Sequence, residues 1–155
     1  MHLRFRVGIG ACLLVSVIAA VQAGEKARGV ADSERARVNY MLNCQGCHGA
    51  DGVGTVDGSV PEMKNFVGRF LSVPGGRAFL VQVPGSANAA LTDERLAEVL
   101  NWMLWQVSAA QIPQDFEPYT AQEVGALRQE PLDDVEAIRA SLVERMSLEA
   151  GSDPG

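Results

Sequence analysis

The stretch Cys44 to Gly54, "CQGCHGADGVG", constrains this chain more than any other part of it. Two thiols and an imidazole fall within five residues, and a glycine-studded loop follows. Such a cluster serves as a metal clip, as a redox disulfide, or as the point where a prosthetic group is stitched to the chain. The rest of the sequence decides which.

Residues 1 to 23 carry Arg4 and Arg6, a short apolar run, and Val21-Gln22-Ala23 before Gly24. A basic start, a short greasy middle and small residues before a cut site read as a secretory signal peptide. The run is short for a bilayer span, which needs about 20 apolar residues. A lipoprotein with Cys12 as its acylated residue is the alternative, but it would leave "LLVSVIAAV" on the exported chain. Cleavage after Ala23 removes Cys12 and His2 and leaves 132 residues, enough for one small domain. The exported chain then has two cysteines and one histidine, all inside the opening cluster.

Charge is unevenly placed. Residues 24–92 hold seven Lys and Arg against six Asp and Glu, a net of +1, whereas residues 93–155 hold four against thirteen, a net of −9. An acidic balance of this kind argues against nucleic acid as a partner. The acid-rich half is either a solvated surface or the far side of a molecule whose near-neutral half docks.

The organisation reads as all-α. A flexible lead-in at 24–31 precedes a helix from Asp32 to Cys44, capped by Asp32 or Ser33 and carrying Val38, Met41 and Leu42 at helical spacing. A glycine-rich loop follows. Pro61 is placed to open a second helix with Met63, Phe66, Val67, Phe70 and Leu71 on its buried face. "RAFLVQV" reads as a helical turn, with a short strand as the alternative, and "VPGSANAA" as a loop. Thr92 caps the clearest helix, whose stripe is Leu96, Val99, Leu100, Met103 and Val107, flanked by Trp102 and Trp105. Beyond a main domain at 32–107 lies an extension at 108–149. It holds a capping box, Thr120-Ala121-Gln122-Glu123, and an amphipathic helix through Val135, Ile138, Leu142 and Met146. Residues 150–155 read as a disordered tail.

A closed zinc site takes four protein ligands, and the exported chain offers two Cys and one His. A thioredoxin-like motif wants a βαβ setting, whereas here a helix precedes the motif. A plain disulfide between Cys44 and Cys47 suits an oxidising compartment. Neither sulfur chemistry gives His48 a role. Covalent haem uses all three residues, with thioethers from Cys44 and Cys47 to the two vinyl groups and the His48 imidazole on the iron. Cys-x-x-Cys-His is the signature of that attachment.

From about residue 32 to 105 the chain resembles a class I monohaem cytochrome c. "CQGCHGADGVG" is similar to that family's attachment motif and following loop. Tyr40, Ala36 and Trp102 match the residues through which the family's N- and C-terminal helices cross. The resemblance implies a helical domain around one covalently bound haem c, with a C-terminal helical extension as a departure. It also implies that the Pro61 carbonyl accepts the second N–H of His48, which would fix the tautomer of the ligand.

These residues point to electron transfer, with no catalytic group of the chain's own. Phe66, Phe70, Leu96, Leu100 and Met103 are expected to line the haem, and Arg77 is a candidate partner for a haem propionate. Expected partners are redox proteins in the periplasm: a dehydrogenase upstream and an oxidase or another cytochrome downstream, with no membrane span after signal cleavage. The alternatives are a haem enzyme or gas sensor with an open iron, or a cytochrome subunit fixed to a dehydrogenase through the tail. The tail is expected to fold back onto the domain. The family usually places a methionine before its last helix, but "VQVPGSANAALTD" has no methionine, histidine or lysine. Met103 and, more weakly, Met63 are the remaining candidates for the distal iron ligand, with a vacant distal site as the third outcome.

Overall fold

The computed structural model describes residues 24–26, 28–130 and 132–151, with side chains considered up to residue 148. Residues 1–23, read from the sequence as a signal peptide and holding Cys12 and His2, and the last residues 152–155 lie outside the described residues. Among the described residues the regular structure is helical, without strands, and no helix is long and apolar enough to cross a membrane. The helices are α1 (Ser33–Asn43), α2 (Gln45–His48), α3 (Gly76–Gln82), α4 (Pro84–Ala87), α5 (Asp93–Val107), α6 (Ala121–Leu127) and α7 (Val135–Gly151), with 3₁₀ turns at Val67–Ser72 and Ala109–Gln111.

Four of these helices start where a side chain takes up an orphan N–H. Asp32 accepts from Arg35, Thr92 from Arg95, Thr120 from Glu123 and Asp134 from Ala137. The box at Thr120 closes on one side only. Glu123, whose carboxylate was placed to return to the cap, is drawn to Arg77 instead.

Helices α1 and α5 cross as expected. Ala36 is fully buried and allows close approach, while the Tyr40 and Trp102 rings sit 5.5 Å apart at a 50° tilt. The stripe of Val38, Met41 and Leu42 faces outward, with Leu42 77% exposed. The helix is where the sequence placed it, but its contact face is set by the small and aromatic residues rather than by the aliphatic ones.

A bidentate ion pair pins the start of α1 to α5. Glu98, 5% exposed, receives Arg35 at 2.9 and 2.7 Å and also the N–H groups of Ala31 and Asp32. Four donors on one carboxylate satisfy it, which a buried charge requires. The lead-in read as flexible is therefore tied down from Val30 onward, where Val30 itself is buried.

Two elements differ from the sequence reading. No α-helix opens at Pro61. The N–H groups of Met63 and Lys64 both go to the Gly52 carbonyl, and that of Asn65 goes to Val107, so the segment's donors are spent on tertiary partners. Asn65 also takes φ +54, and helicity begins only as a 3₁₀ turn at Val67. Second, "VPGSANAA" contains one short helical turn, Pro84–Ala87, started by the fixed φ of Pro84 at its first position.

The core gathers on α5. Leu96, Val99, Leu100 and Met103 are nearly fully buried on one face, while Ala97, Asn101 and Leu104 are buried on the others. Fully burying an aliphatic side chain of this size contributes about 1.5–3 kcal/mol. The extension closes over this helix through Tyr119 and Val124, and its last helix adds Leu142 to the same core beside the 3₁₀ turn Val67–Ser72, each of the three 3% exposed or less. Helix α7 continues to residue 151, so the tail read as beginning at 150 starts with helical residues.

Candidate cofactor site

Helix α1 delivers its C-terminal end to the Cys-x-x-Cys-His motif. The Cys44 N–H closes the last turn on Tyr40, and the N–H groups of Cys47 and His48 both bond to the Cys44 carbonyl. Residues i, i+3 and i+4 share a helical face, so the two thiols and the imidazole come to one wall. The Tyr40 hydroxyl donates to the Gly49 carbonyl at 2.8 Å and fixes the turn that follows His48. The loop then doubles back. The Gly54 N–H donates to the His48 carbonyl, and a Cβ at Gly54 would sit 2.2 Å from the Val60 carbonyl oxygen. With φ +70 as well, this position admits glycine only.

The wall bounds a cavity of about 390 Å³. Cys44, Cys47 and His48 lie on it together with Pro61, Met63 and Met103. Its apolar lining includes Phe70, Leu96 and Leu100, as expected, and also Phe79, Leu80 and Val83. Phe66, expected there too, is not on the lining; its ring is edge-on to Phe70 at 5.8 Å. Burial raises the Cys44 thiol to about 11, with Cys47 beside it adding to the shift, and lowers His48. The thiol therefore enters the wall uncharged, and the imidazole is held in the neutral form that ligates metals.

Both thiols are free, so no disulfide joins Cys44 to Cys47. Among the described residues no group of three His, Cys, Asp or Glu side chains is placed to hold a metal ion, so the cluster does not converge on a single cation. His48 Nδ1 is buried with no hydrogen-bond partner. A pair of free thiols and a neutral imidazole on the wall of an apolar cavity is the donor set that covalent haem takes, and the residues fit that group.

The other expected site residues sort unevenly. Pro61 lines the cavity, but its carbonyl does not receive the His48 N–H, because Nδ1 has no partner. Met103 is 6% exposed and on the lining. Met63 also lines the cavity, but it is held to the loop leaving His48. Its N–H donates to the Gly52 carbonyl at 2.7 Å, and its Cβ and Cε would lie 3.3 and 3.4 Å from a Cβ at Gly52. The loop before α5 contributes Val83, Pro84, Gly85 and Ser86, none of them an imidazole or thioether.

Arg77 is a correction. It is absent from the lining, and its guanidinium is spent on the extension, bonding Glu123 at 2.8 Å and the Glu117 carbonyl at 2.7 Å while lying 4.2 Å from the centre of the Tyr119 ring. The glycines ahead of it suggested a free loop cation, but the acidic run that claims it lies 40 residues further on. Sequence reasoning also missed Val135 and Arg139 of α7, which both line the cavity. Their signal was present: they are four residues apart and so share a helical face.

No protein-family model and no solved structure matches the chain. Two curated proteins do, both of them cytochromes c-552 of Thermus thermophilus. One is 30% identical over 122 residues, spanning 67% of this chain and 82% of that protein. The other is 33% identical over 107 residues, spanning 57% of this chain and 81% of that protein.

Proposed function

The chain belongs to the c-type cytochrome family, and from that premise we propose that it is a periplasmic one-electron carrier holding one haem c. The observation that carries this reading is the trio Cys44, Cys47 and His48 on the wall of an apolar cavity. Cys44 and Cys47 would hold the group as thioethers, and His48 would be its proximal ligand. Bound there, haem c supplies an iron couple that takes up and releases one electron. The chain's own work is to keep water from that centre through Phe70, Leu96, Leu100 and their neighbours, and to hold His48 neutral. The family's covalent haem requires an export route, for which residues 1–23 supply a signal peptide. In this role the chain accepts electrons from a periplasmic dehydrogenase and passes them to an oxidase or a further cytochrome, with no reaction of its own.

The purified exported protein is expected to keep its chromophore through acid–acetone extraction. It is also expected to be reduced by a periplasmic dehydrogenase fraction and reoxidised by an oxidase. Release of the chromophore into acetone would refute the attachment, and failure to exchange electrons with any such fraction would refute the carrier.

A second reading rests on the loop Val83–Ser86, which brings no iron ligand to the cavity. If Met103 does not reach the iron, the distal side is open and the protein binds small gases. Carbon monoxide titration of the ferrous protein separates the two. Met103 as ligand predicts no binding by the parent and ready binding by Met103→Ala. An open site predicts ready binding by both.

A further inference from the structure

Five arginines of the described residues are half-buried, and four of them have a carboxylate partner. Arg35 pairs with Glu98, Arg77 with Glu123 and Arg128 with Asp93, while Arg95 lies 3.6 Å from Glu98. Arg139 is the exception. Among the described residues its guanidinium has no ion pair or hydrogen bond, and its recorded contact is the Phe66 ring, 5.8 Å away. It sits in a half of the chain with a net charge of −9, where carboxylates are plentiful. A half-buried cation left without a partner costs free energy unless a ligand supplies the counter-charge.

Arg139 also lines the cofactor cavity, one helical turn beyond Val135, which lines it too. Apart from His48 it is the basic side chain of that lining, and Glu62, exposed to solvent, is the acid. Arg69 stands over the Phe66 ring at 5.7 Å, so two guanidiniums flank one aromatic beside the cavity. Haem carries its charge on two carboxylates, and a carboxylate brought to an apolar cavity needs a charge-assisted donor.

Resting on the haem reading above, we infer that Arg139 of the C-terminal extension anchors a haem propionate, the role the sequence had suggested for Arg77. The extension then contributes directly to the cofactor site. A planar guanidinium offers a carboxylate two parallel N–H donors, which a lysine ammonium cannot reproduce.

The test uses the purified haem-loaded protein and its Arg139→Gln and Arg139→Lys variants. Covalent haem content is read first, then the propionate bending band in resonance Raman and the midpoint potential. Arg139→Gln is expected to keep its covalent haem, to move the propionate band, and to shift the reduction equilibrium about threefold to tenfold toward the oxidised form, at most ~59 mV for a one-electron couple. Arg139→Lys is expected to restore most of the potential, because the charge returns, but not the band, because the fork does not. A merely structural arginine would not produce that split. Unchanged band and potential in haem-loaded Arg139→Gln overturn the inference. If that variant loses α7 by circular dichroism, the band of Arg139→Lys decides, and a parental band there overturns the inference too. A parent without covalent haem overturns the cofactor reading itself, before any variant is compared.

Discussion

Replacing Cys44 and Cys47 together with serine is expected to abolish covalent haem, leaving only background in a haem-stained denaturing gel. The two thiols enter the same cavity wall one helical turn apart, and both are free. No other cysteine lies among the described residues, so no neighbouring thiol can substitute. Either single variant retains one sulfur and is expected to keep a stained band at reduced yield. The double variant also tests the cavity. Without its cofactor, a cavity of about 390 Å³ lined by Phe70, Leu96 and Leu100 lacks the contacts of a packed interior. The product is therefore expected to be poorly folded as well as colourless. A stained band from the double variant would refute the assignment of the thioethers.

Arg128→Ala is expected to lower the unfolding free energy by about 3 kcal/mol and the melting temperature by about 10 °C. This side chain is only 13% exposed. It donates to the Ala87 carbonyl at 3.0 and 2.7 Å, to Ala89 at 2.8 Å, to Leu91 at 2.9 Å and to the Asp93 carboxylate at 3.0 Å. One guanidinium thus takes up the last carbonyl of α4, at Ala87, and two carbonyls of the loop that leads to α5, at Ala89 and Leu91. Truncation removes all five bonds at once, although Ala89 keeps the Leu91 N–H and water can rehydrate part of the set, which keeps the loss below the sum of five separate bonds. Arg128→Lys is expected to recover little, because a single ammonium cannot span acceptors spread over that loop. Thermal denaturation followed by circular dichroism measures the effect. A melting temperature within about 2 °C of the parent would show that the loop is held by other contacts.

The legible parts of this molecule were those governed by local chemistry. Asp32, Thr92 and Thr120 cap the helices they were read to cap, and α5 carries its expected stripe, because caps and periodicity act within one or two turns. The Cys-x-x-Cys-His motif needs no long-range information to put Cys44, Cys47 and His48 on one wall. What escaped was set by residues distant in the chain. The segment after Pro61 has a helical pattern, yet Gly52 and Val107 claim its amides. Arg77 looked like a free loop cation until Glu123, 46 residues later, took it. Val38, Met41 and Leu42 form an aliphatic series on a helix that docks through Ala36 and Tyr40 instead, since shape complementarity with Trp102 outweighs aliphatic area. Arg139 belongs to the same class. Its closeness to the cavity depends on the path of an extension whose return the sequence predicted only in outline.

Asn101, at the middle of α5, is fully buried and makes three hydrogen bonds. Its amide nitrogen donates to the carbonyls of Gly29 and Tyr119, and its oxygen accepts from the Tyr119 N–H. Gly29 has φ +71 there, and a Cβ on it would lie 2.4 Å from that of Pro118. The segment entering the domain and the segment leaving it thus meet on a single side chain. In a structure built this way neither end frays alone, because opening one strands half of an amide whose other half still holds its neighbour. The lead-in to α1 and the segment that leaves α5 are thus joined through one side chain, and amide exchange at the start of α1 is expected to follow the same opening event as exchange around Tyr119.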